Sequence, residues 1–287
     1  MNAGSILRAL WIVAGLLAPT ACAPVDLLNA TIPTGDLTIT RDVAYGTDAR
    51  QRLDIYAPKS RSGALPVIIF FHGGAWQSGD RADYLFAAAA FAAKGAVVAI
   101  PDYRVYPTVT FPGFLADSAQ ATAWVHQNIG RWGGDRRNIF LIGHSAGAYN
   151  AVMLALDEEY LENAGLSTED IAGAVGISGP YDFLPLTRPD VKPIFEVVSD
   201  MSLTQPIRFA RRDAPPLLLL TGTADITVGP YNTLNLSERM HAVGGSVEEH
   251  LYPGIAHLGS VLALAPAFRW RASILDDIES FIRRHER

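Results

Sequence analysis

The pentapeptide Gly143-His144-Ser145-Ala146-Gly147 constrains the fold of this chain more than any other stretch. It follows Ile139-Phe140-Leu141-Ile142, an apolar run with the character of a buried strand, and it opens a helical segment at 146–156. A chain that passes from strand to helix so abruptly has no room for side chains beside the turn. Glycine at 143 and at 147 removes the two that would collide there. The serine between them sits on a strained backbone, with its hydroxyl exposed at the C-terminal edge of a sheet and the N-terminus of a helix. The pattern arises by chance in glycine-rich chains, so its weight comes from the strand before it and the helix after it.

The rest of the chain supplies a sheet of the required kind. Residues 66–71, 96–100, 139–142, 171–177 and 217–220 are short apolar runs, as expected for strands buried on both faces. Helical patterns at 81–94, 114–129, 146–156, 233–243 and 273–284 alternate with them, and 246–252 reads as a further strand. Residues 37–45 and 52–57 alternate apolar and polar, which suits half-buried strands at an antiparallel edge. The expected fold class is α/β: a mostly parallel central sheet with helices on both faces. An apolar fraction of 49% is enough to build one large core and excludes disorder. Residues 181–213 lie between two sheet strands without a clean period, and roughly 30 irregular residues there predict a short cap insertion, a lid over the sheet edge. Residues 24–36 are a polar lead-in without a strong period, and nothing resembles an interdomain linker. One domain over 23–287 is expected.

A second motif, His72-Gly73-Gly74-Ala75-Trp76, directly follows the buried run 66–71. Consecutive glycines let backbone N–H groups approach a ligand oxygen closely. Acyl transfer needs such donors aimed at the oxyanion of a tetrahedral intermediate. The expected hole draws on Gly73, Gly74 and Ala75, together with Ala146, the residue after the serine.

A nucleophilic serine needs a base, and the base needs a carboxylate to orient it. Of the seven histidines, His126, His241 and His250 sit on regular elements and His285 in a charged tail, where solvated or packed roles fit them. His72 and His144 belong to the motif loops and read as structural, with His144 and Trp76 also assigned as substrate contacts. His257 follows Tyr252-Pro253-Gly254 past the last strand and precedes the final helix, in a loop at the C-terminal edge of the sheet. It is the expected base. Among 29 acidic residues, Asp225 follows the strand 217–220 and keeps the order Ser…Asp…His. Asp182, which also follows a sheet strand, is the runner-up. Asp80 suits a helix N-cap. Asp102 and Arg104 are expected to pin their loop as an ion pair, and Arg136, Arg137, Arg211 and Arg212 to be solvated.

Several classes drop out. A net charge of −6 without a long basic run argues against a nucleic-acid partner. A single cysteine excludes a disulfide framework and a cysteine zinc site. No phosphate-binding loop, dinucleotide fingerprint or HExxH is present. No cofactor and no metal is expected, and the expected partner is a small molecule, an ester if the resemblance given below holds.

The N-terminus carries a different message. Arg8 precedes the short apolar run 9–18, and small residues follow up to Cys22. This is the order of a secretory signal, and the run falls short of the about 20 apolar residues a spanning helix needs. It resembles a bacterial lipoprotein signal in which Cys22 becomes the lipidated N-terminus. Residues 1–22 are therefore expected to direct export to the periplasm or to an outer-membrane anchor. Ordinary cleavage near Ala21 or Ala23, giving a secreted chain, is the alternative.

Taken together, HGGAW at 72–76, Asp102-Tyr103-Arg104 with Pro107, GHSAG at 143–147, GTAD at 222–225 and YPGIAH at 252–257 resemble an α/β-hydrolase over about residues 50–284. The resemblance is to carboxylesterases of the hormone-sensitive-lipase-like and feruloyl-esterase-like groups. It implies a Ser145-His257-Asp225 triad working through an acyl-enzyme, and an oxyanion hole donated from the third and fourth loop residues, Gly74 and Ala75. Those groups usually carry a large cap, whereas only 181–213 and the lead-in are available here, which suggests an open site and short acyl groups. Trp76 resembles an HGG-x-W variant also found in kynurenine-formamidase-like enzymes, so an arylformamidase or a peptidase on the same triad is the alternative. A non-catalytic binding protein on this fold would normally have lost a triad residue or a hole glycine.

Overall fold

The computed structural model describes residues 24–60 and 62–287. The signal assigned to residues 1–22, with Cys22, lies outside the described residues. Eight strands form one sheet: β1 (Leu37–Ala44), β2 (Arg52–Pro58), β3 (Leu65–Phe71), β4 (Val97–Pro101), β5 (Gly134–His144), β6 (Ile171–Ile177), β7 (Leu217–Gly222) and β8 (Val247–Tyr252). Their order across the sheet is β1-β2-β4-β3-β5-β6-β7-β8. The β1–β2 and β2–β4 pairs are antiparallel, and every pair from β4 to β8 is parallel. The antiparallel edge expected from the alternating segments is therefore present.

Helices cover both faces because the central strands are apolar on both. Val67, Ile69 and Phe71 of β3 join one core, with α3 (Gly113–Asn128), α4 (Ala146–Leu156), α5 (Glu158–Asn163) and part of α7 (Tyr231–Val243). Ile68 and Phe70 face the other core, with α2 (Leu85–Ala93), α8 (His257–Leu262) and α9 (Ile274–His285). The lead-in contains a short helix, α1 (Pro24–Ala30), whose Val25 and Leu28 pack on the second core. Its polar composition had hidden it. The helical pattern at 81–94 resolves into a 3₁₀ turn capped by Asp80, as expected of that residue, followed by α2.

Strand β2 departs from its sequence pattern. Its alternation predicts a half-buried strand, yet all five residues between Leu53 and Ala57 are buried. Asp54 is the polar residue that had to be accommodated. The Arg81 guanidinium at 2.9 Å, Arg41 at 3.1 Å and the N–H of Asp42 at 2.8 Å satisfy its carboxylate. A buried charge is tolerated when it is paired and hydrogen-bonded in this way. Arg81 also binds Asp102 and so ties β2 to the loop after β4. The expected Asp102–Arg104 pair does not form, because Arg104 turns to Asp117 of α3 at 2.7 Å. Nor is Arg211 a solvated residue. It is mostly buried, binds Glu158 at 2.6 Å and caps the Leu156 carbonyl at the end of α4.

The insertion between β6 and β7 contains α6 (Lys192–Phe195) and two 3₁₀ turns. Its base is pinned to the domain. The Phe195 ring is buried 4.8 Å from Trp76 and 5.8 Å from Tyr149, and the Tyr149 hydroxyl donates to the Thr204 carbonyl at 2.8 Å. Asn232 of α7 accepts the N–H groups of Tyr181 and Asp182, both at 2.9 Å. The stretch 183–190 is the more exposed part and overlooks the C-terminal edge of the sheet.

Candidate active site

Strand β5 ends at His144, and Ser145 turns the chain into α4 with φ 56° and ψ −120°. That left-handed backbone is costly for a residue with a Cβ and persists only where the surroundings impose it. They do so through contacts that only glycine permits. A Cβ on Gly143 would lie 2.2 Å from the Gly147 carbonyl oxygen, and one on Gly147 would lie 2.0 Å from that of Phe71. The Ser145 N–H is fixed by the Ile177 carbonyl at the end of β6, at 2.9 Å.

Three side chains from distant parts of the sequence, the outer two 112 residues apart, meet at this edge. The Ser145 hydroxyl lies 2.9 Å from His257 Nε2. His257 Nδ1 lies 2.8 Å from Asp225 Oδ2. The other carboxylate oxygen of Asp225 accepts the N–H groups of Thr227 at 3.0 Å and Val228 at 2.9 Å. Burial works against ionisation of Asp225, but the hydrogen bond from His257 and those of the Val228 and Thr227 backbone outweigh it and hold the carboxyl below its usual range. His257 is the first residue of α8, a short helix in a segment the sequence had suggested as a loop. Asp182, the runner-up acid, is turned to Asn235 at 2.7 Å.

The glycine loop divides its N–H groups. That of Gly73 donates to the Tyr84 hydroxyl at 3.0 Å, so Gly73 is not available as an oxyanion donor and that assignment is corrected. Burial raises the Tyr84 hydroxyl to about 12, so it stays protonated. The N–H groups of Gly74 and Ala75 have no hydrogen-bond acceptor among the described residues. Ala146, at the first position of α4, has no intrahelical partner for its N–H. Gly74 has φ 128°, and a Cβ on it would meet the Ser78 carbonyl oxygen at 2.1 Å. No other residue fits there. Ala75 and Trp76 take left-handed backbones at φ 51° and 57°.

A cleft of about 440 Å³ opens over Ser145. Ala75, Trp76, Ser145 and Ala146 form its floor, residues 180–191 of the insertion one wall, and residues 226–232 the other. Trp76 contributes to this lining, although it is only 3% exposed. Its indole N–H donates to Asn150 at 3.1 Å, and its ring meets Tyr149 edge-on at 5.1 Å. His144 is a correction. It is buried, does not line the cleft, and has Nε2 at 3.3 Å from the His257 carbonyl oxygen. Burial, reinforced by the neighbouring His257, pushes its imidazole down to about 3, so it is neutral. It braces the backbone of His257 and touches no substrate space.

Sequence reasoning missed Tyr84 and Asn232. Neither stands in a motif, and no local pattern marks a side chain that acts on a loop distant in sequence.

Comparison with known proteins agrees with this architecture. The family model described as BD-FAE matches residues 53–240, more than half of the chain. The chain is 30% identical over 265 residues to an isoprenylcysteine alpha-carbonyl methylesterase of Arabidopsis thaliana, covering 85% of this chain and 62% of that protein. It is 33% identical over 237 residues to Esterase LipC of Mycobacterium tuberculosis, covering 76% and 59% respectively. The chain thus spans about three fifths of the length of these curated relatives. Among solved structures, esterase B of Lactobacillus rhamnosis superposes with a TM-score of 0.76 at 20% identity, over 92% of each chain. That likeness shows a common fold. With its family model matched across most of the sheet and an esterase structure superposing over 92% of its length, this chain belongs to the BD-FAE family and has the α/β-hydrolase fold.

Proposed function

We propose that this protein is a serine hydrolase that cleaves short-acyl carboxylic esters. The observation that carries the reading is the unbroken hydrogen-bonded run from Ser145, at the floor of a cleft, through His257 to Asp225. Two curated relatives bear the names esterase and methylesterase, which supports the same bond type. Ser145 attacks the ester carbonyl carbon while His257 Nε2 takes the hydroxyl proton. Charge develops on the carbonyl oxygen, and the free N–H groups of Gly74, Ala75 and Ala146 stabilise it. The intermediate collapses, the C–O bond to the alcohol breaks, and His257 returns its proton to the departing oxygen. Water, deprotonated by the same imidazole, then releases the acid and restores Ser145. Asp225 keeps the Nδ1 proton in place and stabilises the imidazolium.

The short-acyl preference rests on the cleft. It is floored by Trp76 and walled by Phe183, Leu186 and Val191 on an insertion whose base is pinned, which limits how far the acyl side can widen. Hydrolysis of a p-nitrophenyl ester series from formyl to dodecanoyl tests the reading, with Ser145→Ala as control. The rate is expected to peak at acetyl to butyryl and to fall at least tenfold by octanoyl, where about four further methylenes would lie outside the cleft. A maximum at octanoyl or longer would overturn the short-acyl assignment. A maximum at formyl would move the protein to the arylformamidase reading.

The export reading is supported by residues 1–22 of the sequence alone. Expressed from its full coding sequence in a bacterial host, the chain should incorporate labelled palmitate and partition with membranes. Cys22→Ser should abolish the label. An unlabelled but exported wild-type chain would leave ordinary signal cleavage in its place.

A further inference from the structure

Ser178, directly after β6, is buried and holds a left-handed backbone at φ 51°. Among the described residues, five non-glycine positions take a positive φ. Ser145, Ala75 and Trp76 belong to the nucleophile turn and the glycine loop, and Asp42 lies where the β1–β2 register shifts. Ser178 is the fifth. Such a backbone is costly for a residue with a Cβ, and glycine would remove the cost. A serine there directs attention to its hydroxyl.

That hydroxyl lies 3.0 Å from Ser260 Oγ of α8, and both groups are buried. Ser260 has one hydroxyl proton and donates it to the His257 carbonyl oxygen at 2.6 Å. Ser178 is therefore the donor to Ser260. The backbone around Ser178 completes the pattern. Its N–H donates to the Leu220 carbonyl of β7 at 2.7 Å, and the Ile177 carbonyl accepts the Ser145 N–H at 2.9 Å. The dipeptide Ile177-Ser178 thus bonds to the nucleophile, to the strand that leads to the acid and, through Ser260, to the base. A helical serine bonded to the carbonyl three residues back is ordinary by itself. Here the carbonyl belongs to the base, and the serine is itself held from another element.

We infer that Ser178 is a positioning residue for the catalytic base, fixing the backbone of His257 through Ser260 so that the imidazole spans Ser145 and Asp225. The inference rests on the serine-hydrolase reading above. His257 is the first residue of a six-residue helix whose N-terminus has no side-chain cap. Its chain neighbours Ala256 and Leu258 are exposed, so the flanking residues offer its backbone little packing. Proton transfer needs Nε2 within hydrogen-bond reach of the Ser145 hydroxyl and then of the departing oxygen. A backbone held only by the imidazole's own contacts would let that reach vary. The buried hydroxyl pair ties it to the strand that also fixes the nucleophile.

Ser178→Gly removes the hydroxyl and suits the left-handed backbone, so activity and stability should part. Turnover of p-nitrophenyl acetate should show kcat lowered about tenfold, short of the about 10²-fold that a full ångström of misplacement costs. Both half-reactions use His257, so KM should stay within about twofold of wild type. The melting midpoint should drop by no more than about 3 °C. Ser260→Ala should lose at least as much activity. Adding Ser178→Gly to it should cost less than about twofold further, because Ser178 acts through Ser260. The low-field proton resonance of the hydrogen bond between His257 Nδ1 and Asp225 should weaken in both single variants. Equal losses from Ser178→Gly in the wild-type and Ser260→Ala backgrounds would overturn the relay. So would an unchanged kcat, a loss confined to KM, or a melting midpoint that falls in step with the rate. Should Ser260→Ala fail to fold, the split between rate and midpoint in Ser178→Gly decides alone. A wild-type chain inert on every p-nitrophenyl ester would sink the hydrolase reading itself, and the relay with it.

Discussion

Replacing Ser145 by alanine is expected to lower ester hydrolysis by on the order of 10⁴-fold or more and to leave the fold unchanged. The size of the loss follows from the way a triad works. Serine, histidine and carboxylate act as one unit, and removing the nucleophile removes the covalent route while leaving only binding and the oxyanion donors. Stability should be preserved because the hydroxyl is bonded only to His257. The backbone at φ 56° is imposed by Gly143, Gly147 and the Ile177 carbonyl, none of which the substitution touches. Turnover of p-nitrophenyl acetate and a thermal melt on the same preparation check both halves. A rate within tenfold of wild type would refute the nucleophile assignment. A melting midpoint lowered by more than about 5 °C would show that the serine also carries stability.

Asp225→Asn should cost on the order of 10³–10⁴-fold in kcat, whereas Asp182→Asn should change it by no more than about twofold. The first expectation has a specific geometric cause. One oxygen of Asp225 accepts two backbone N–H groups, from Thr227 and Val228. Those donors orient an amide at this position, because its oxygen must face them. The amide nitrogen then faces His257 Nδ1 and donates to it. That reverses the tautomer: Nδ1 becomes the acceptor and Nε2 carries the proton. An imidazole protonated at Nε2 cannot take the proton of Ser145. Asp182 has no such connection, since its carboxylate is engaged by Asn235. Steady-state kinetics on the two variants separates them. If the Asp182 variant loses more activity than the Asp225 variant, the acid is misassigned.

The readings that survived best were those fixed by local backbone geometry. A tight strand-to-helix turn requires small residues at defined offsets, so Gly143 and Gly147 marked Ser145 without any knowledge of the rest of the fold. Strand ends put residues at one edge of a parallel sheet, so Asp225 and His257 could be selected by their place after β7 and β8. The readings that failed concerned where a polar group points. Gly73 was expected to aim its N–H at the substrate, but the Tyr84 hydroxyl takes it from behind the loop. His144 adjoins the nucleophile in sequence, yet successive residues at the end of a strand face opposite ways, and it packs beneath His257. Asp54 looked like the exposed half of an alternating strand, and Arg81 allows it to be buried.

The sequence alone determined the fold class, the order of the sheet's buried strands along the chain, and the three residues that meet at its edge. Each follows from short-range sterics and from the burial of apolar runs, and both are encoded within a few consecutive residues. Only the tertiary structure decided which amides remain free for an oxyanion, where His144 and Asp54 point, and which residues wall the cleft. Those outcomes depend on hydrogen-bond partners brought together from distant segments. A donor has one strong bond to give, and whichever acceptor the packed core places nearest receives it.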